Sequence, residues 1–86
     1  MIRLLSEPVI VHTHRGRPTA IDWSGRLWRV TDDPTPIRER FDLGVTHPLE
    51  PLVGWRFQGT ATDGEARVFD ARLRPEGGWE LVGVYA

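Results

Sequence analysis

The stretch Pro18–Val30, PTAIDWSGRLWRV, alternates apolar and polar residues with period two on both sides of Ser24-Gly25. Period two is the side-chain period of a β-strand, and a two-residue linker containing glycine commonly joins antiparallel neighbours. The segment therefore predicts a hairpin, with Ile21 and Trp23 sharing a face of its first strand and Trp28 and Val30 sharing a face of its second. Two tryptophans facing each other across a tight turn suit either a hydrophobic core or a platform for stacking a ligand. In a chain of 86 residues the core has first claim on them. A domain of this size removes only roughly two-thirds of its unfolded surface from water, and each large ring contributes about 150–250 Å².

The same grammar recurs along the chain. EPVIVHTH, Glu7 to His14, is short and β-branched and runs into RGRP, which reads as a strand entering a turn. GWRFQGTA sets Trp55 and Phe57 on one face and Arg56 and Gln58 on the other, before the turn Thr62–Gly64. In EARVFDARL, Phe69, Ala71 and Leu73 alternate with Val68, Asp70 and Arg72; after RPEGG, Trp79, Leu81 and Tyr85 alternate with Glu80, Val82 and Val84. The expected organisation is one domain: strand plus hairpin over residues 7–31, a proline-rich loop or short helix over 32–53, and a three-strand meander over 54–86. Five or six antiparallel strands would form a small barrel or a strongly bent sheet.

The middle segment, Asp32 to Val53, carries four prolines. Proline fixes φ and removes a backbone donor, so a long sheet strand is not expected there. TPIRERF is suited to one or two helical turns, with Thr35 as cap and Pro36 at the first helical position. Ile37, Phe41, Leu43, Leu49 and Leu52 would anchor the remainder as a packed loop.

Composition narrows the classes of function. With no cysteine there is neither a disulfide framework nor a thiolate zinc site, which fits a cytoplasmic protein held together by packing. The opening MIRLLSEPVIV is interrupted by Glu7 and Pro8 and is too short an apolar run for a signal peptide or a membrane span. Eleven basic residues, all arginine, stand against 12 acids, for a net charge of −1. A committed nucleic-acid binder generally carries a basic balance, because phosphate contacts and counterion release supply much of its affinity.

Candidate chemical residues are few. His12 and His14 form an H-x-H pair, which on a strand turns both imidazoles to one face. A metal would need a third ligand from His47, Asp22, Asp70 or a glutamate, and without one the pair is a solvent-facing strand surface. Ser6 and Ser24 are the only serines, neither lies in a nucleophile elbow, and Ser24 serves a turn. Asp32-Asp33 precedes PTP, where aspartate caps a turn, and Gly77-Gly78 lies between strands and not between a strand and a helix, so it is no phosphate loop. No catalytic residue and no cofactor is expected.

Arginine interleaved with aromatics is the remaining feature. Arg26, Arg29 and Arg56 lie beside Trp28, Trp55 and Phe57, and alternation turns the rings inward and the arginines outward. The reading that follows is a non-enzymatic protein-interaction module, binding a protein partner or a second copy through an exposed sheet edge or the proline-rich loop. A single-stranded nucleic-acid-binding barrel is the alternative. It requires Arg26, Arg29, Arg56 and Arg67 to converge beside an accessible ring such as Trp55 or Trp79. A metal-dependent enzyme would have to use the H-x-H pair.

EPVIV, PTAIDWSGRLWRV, GWRFQGTATDGEARVFDARL and GWELVGVYA together resemble a family of small, functionally unassigned domains of actinobacterial type. Its pattern runs E-P-V and then P-x-A-(x)2-W-x-G-R-x-(Y/W)-x-V. The resemblance covers most of Glu7 to Ala86, but relatives carry a Trp-containing aromatic segment where this chain has its prolines. Trp23, Gly25, Arg26, Trp28 and Val30 match the most regular motif. Similar domains are appended to inactive Y-family DNA polymerase homologues of the mutagenic repair system, which implies an accessory, protein-contacting role in DNA repair and transfers no catalytic residue.

Overall fold

In a computed structural model, which describes residues 2–39 and 50–86, seven strands account for the regular structure. They are β1 (Ile2–His14), β2 (Arg17–Trp23), β3 (Arg26–Val30), β4 (Thr35–Arg38), β5 (Leu52–Thr60), β6 (Ala66–Leu73) and β7 (Trp79–Tyr85). The sheet runs β3-β2-β1-β7-β6-β5-β4, every pairing is antiparallel, and β3 also pairs with β5. That last pairing closes six strands into a barrel and leaves β4 as an extra strand. The expected small β-barrel and C-terminal meander are thus present.

Both N-terminal hairpins turn on two residues with positive φ: Arg15 (53°) with Gly16 (80°), and Ser24 (54°) with Gly25 (74°). This is the signature of type I′ turns, whose twist matches that of the strands they join. The Ser24-Gly25 turn sets Ile21 opposite Trp28, and both are essentially fully buried. Around them close Phe57, Phe69 and Leu81, each at 0% exposure. The Trp28 ring lies 5.5 Å from Phe69 and 5.8 Å from Trp23, whose own ring lies 5.7 Å from Phe69. Trp28 donates its indole hydrogen to the Trp23 carbonyl, and Trp23 donates its own to Glu7. The hairpin tryptophans are core partners whose polar edges are satisfied, as buried indoles require.

Barrel closure depends on Gly59. It pairs with Val30, and a Cβ there would lie 2.8 Å from the Phe69 ring and 3.0 Å from the Trp28 Cβ. A bare backbone is what lets β5 approach β3 over this aromatic cluster.

The sequence-based expectation for Thr35–Arg38 is corrected. These residues form no helical turn; β4 pairs Thr35 with Arg56, Pro36 with Trp55 and Ile37 with Gly54. The physical reason is that β5 is longer than β3, so the upper part of its edge is available to a short strand. A four-residue edge strand tolerates Pro36 where a central strand would not. Between β3 and β4 the ladder is maintained by a side chain. Thr31 N–H donates to the Gln58 carbonyl, and Gln58 N–H donates to the Asp32 carboxylate at 2.8 Å. Asp32 therefore bridges strands, and Asp33 pairs with Arg17. Leu52 packs against the core and Ile37 is half-buried; Phe41, Leu43 and Leu49 lie outside the described residues.

A second correction concerns β7. The register shifts between Asp70, opposite Gly83, and Ala71, opposite Leu81. Val82 is thus a bulged residue, which reverses the alternation: Val84 enters the core and Tyr85 emerges on the outer face.

Candidate functional site

Three adjacent strands deliver a polar network to the outer face of the barrel. Arg56 on β5 stands opposite Asp70 on β6, and Asp70 stands opposite Gly83 on β7. Arg56 donates from Nε to Oδ1 of Asp70 at 2.5 Å and from Nη2 to Oδ2 at 2.7 Å, a two-pronged grip that matches the planar carboxylate. Tyr85 donates its hydroxyl hydrogen to the same Oδ2 at 2.7 Å, and the Arg56 guanidinium lies over the Tyr85 ring at 5.2 Å. The Tyr85 ring runs close beside Gly83, where a Cβ would lie 3.3 Å from it.

Asp70 is 6% exposed although it belongs to the outer face, because these two side chains cover it. Burial pushes its carboxyl up, but the hydrogen bonds from Arg56 and Tyr85 and the charge of Arg56 outweigh burial and hold it below its ordinary range. The hydrogen bond to Asp70, with burial second, raises the Tyr85 hydroxyl above its usual value.

Beside this network runs a trough of about 590 Å³ along β4, lined by Thr35 to Glu39, Arg56, Asp70, Arg72 and Val82. Gly54, opposite both Ile37 and Arg72, contributes no side chain to this outer face. Its bare α-carbon also permits a close backbone approach, since a Cβ there would overlap the Ala71 carbonyl oxygen. Arg72 donates to Glu39, and Arg38 donates to the Glu50 carbonyl at 3.2 Å. A second depression of about 400 Å³ shares Glu39, Arg72 and Val82 with the trough.

The remaining sequence-derived candidates separate in space. Arg26 and Arg67 lie on either side of Glu65 at 2.8 and 2.7 Å, and Arg26 also pairs with Asp63 at 2.6 Å. Arg26 does not turn away from the rings as expected; two residues before Trp28, it shares that face and its guanidinium lies 4.7 Å from the Trp28 ring centroid. Arg29 is exposed, opposite Thr60, four residues along β5 from Arg56. Trp55 belongs to the core at 9% exposure, with the Arg17 guanidinium 5.8 Å from its ring, and Trp79 packs against the core. The four arginines therefore do not converge beside an open ring.

His12 contacts Asp22 at 3.1 Å on the outer face, and His14 is exposed. The register shift opposite His12 and Thr13 places its extra residue, Thr19, on β2 and not between the two histidines. His47 lies outside the described residues, and among those described no three His, Cys, Asp or Glu side chains group as metal ligands. No helix among the described residues is long and apolar enough to cross a membrane.

Arg72, Arg38 and Tyr85 were not singled out by the sequence. Gly83 inside a strand pattern was the available signal for Tyr85, since a strand glycine often marks a bulge. The chain matches no protein-family model, no curated protein and no solved structure.

Proposed function

We propose that the protein is a non-enzymatic interaction module of the cytoplasm that binds another polypeptide along β4 and the trough beside it. The observation that carries this reading is the topology: closure through β3–β5 pairs both edges of the barrel strands, and β4 alone among the described strands has one neighbour. An unpaired edge is a template for strand addition, and Pro36 together with the short length of β4 limits it to a selective rather than an indiscriminate one. The resemblance to domains appended to inactive Y-family polymerase homologues supports an accessory place in DNA repair.

A photo-crosslinking residue at Ile37 tests this reading, with the same residue at Thr62, in the β5–β6 turn, as the control. Expected are reproducible adducts to one partner, or to a second copy, from position 37 and none from position 62. A protein that stays monomeric by light scattering and gives no specific adduct from either position would overturn it. The arginine ion pairs around Glu65 weigh against single-stranded nucleic acid, because each neutralises charge that phosphate would have to recruit.

A further inference from the structure

Resting on that reading, we infer that the trough takes an extended, acidic segment of the partner polypeptide, with carboxylates at alternate positions. Among the described residues, three guanidiniums line it, those of Arg38, Arg56 and Arg72, against two carboxylates, those of Glu39 and Asp70. Both carboxylates already accept hydrogen bonds from those arginines. Among the described residues the guanidiniums are not exhausted: Arg56 grips Asp70 with Nε and Nη2, which leaves Nη1, and its side chain remains 53% exposed. Arg72 meets Glu39 through Nη2, and Arg38 meets a neutral carbonyl. The lining therefore presents a surplus of donors and of positive charge, which anionic oxygens complement.

The shape of the site distinguishes a peptide from a nucleic acid. Its long wall is β4, whose backbone has a strand neighbour on one side only among the described residues. Among the described residues that line it none is aromatic, so bases would find no stacking surface there. The spacing of the cations also suits an extended chain. Arg56 lies in the row of Thr35, and Arg72 lies in the row of Gly54, two residues away along β5. Those rows are offset by about 6.6–6.8 Å along the strand direction, the repeat of same-face side chains in an extended peptide, with Arg72 one strand further from β4 than Arg56.

The test is a titration of the isotopically labelled chain, followed by amide chemical shifts at low ionic strength. The probes are an alternating Glu-Thr decapeptide, a block peptide of the same composition, the alternating Lys-Thr analogue and oligothymidylate. Expected are shifts at residues 35–39, 54–56 and 70–72 with the alternating acidic peptide, weaker binding of the block peptide and none of the lysine analogue. Arg72→Glu should weaken binding by about tenfold or more, as should rising salt. Arg38→Glu, whose residue is exposed at the chain's edge strand, gives the same readout should Arg72→Glu fail to fold. No shift at these residues, or equal shifts with oligothymidylate, would overturn the inference. An Ile37 adduct to a partner whose crosslinked segment is not acidic would overturn it while leaving the interaction-module reading intact.

Discussion

Asp70 and Tyr85 meet through a 2.7 Å hydrogen bond that exists only because one residue of β7, Val82, is bulged out of register. Without the bulge, Tyr85 would point into the barrel and Val84 would face solvent. The hydroxyl and the Arg56 guanidinium together satisfy a carboxylate that is otherwise withdrawn from water.

This arrangement gives stability a pH dependence with two coupled limbs. The Asp70 carboxyl is held below its ordinary value of 3.8, so its contribution is complete above that pH and is lost as pH falls through the lower, folded value. The Tyr85 hydroxyl is raised above 10.0, so its contribution is complete below that pH and is lost as pH rises through the higher, folded value. Denaturant midpoints measured across pH should show the alkaline limb flattened in Tyr85→Phe, and both limbs reduced in Asp70→Asn, which removes the carboxylate that raises the Tyr85 hydroxyl. At neutral pH, Tyr85→Phe should cost about 0.5–1.5 kcal/mol and Asp70→Asn about 1–3 kcal/mol. Unchanged limbs in both variants would contradict the hydrogen-bonded assignment.

Gly59→Ala should be severe for a one-methyl change. The added carbon would meet the Phe69 ring and the Trp28 Cβ at 2.8 and 3.0 Å, at the seam where β3 and β5 close the barrel. Overpacking of this kind costs about 1–3 kcal/mol. Hydrogen exchange should accelerate first at Val30 and Thr31, whose pairing with β5 the methyl would wedge apart.

The two hairpin turns can be improved. Arg15 and Ser24 hold positive φ without being glycine, a conformation that asparagine adopts more readily. Arg15→Asn and Ser24→Asn should each stabilise the fold by about 0.5–1 kcal/mol, read as a higher midpoint in urea. A loss of stability in either would show that Arg15 or Ser24 contributes through its side chain.

His12→Ala should be nearly neutral, within about 0.5 kcal/mol. Its pairing with Asp22 is between side chains 49% and 45% exposed, and pairs so well solvated contribute little. Zinc should leave the melting temperature of the wild type unchanged. A zinc-dependent rise that disappears in His12→Ala would establish the H-x-H pair as a metal site.

The sequence by itself determined six of the seven strands, the first of them from Glu7 onward, where the tight turns fall and which ring belongs inside along most of their length. Alternation and turn chemistry are local, so PTAIDWSGRLWRV contained its own hairpin, and the pairing of Ile21 with Trp28 followed from Ser24-Gly25. It also set Arg56 and Asp70 on faces opposite Phe57 and Phe69. Even Arg26 was legible in principle, being two residues from Trp28 on the same strand. Only the tertiary structure decided what depends on partners distant in the chain. Thr35–Arg38 became a strand because β5 offered an unoccupied length of edge, against the local preference of a proline-rich segment. Tyr85 faced outward because the register between β6 and β7 shifts at Val82. Arg56 found Asp70, and the trough acquired its three guanidiniums, through the register of β4, β5 and β6, which is fixed by packing the barrel interior as a whole and which no single strand's pattern contains.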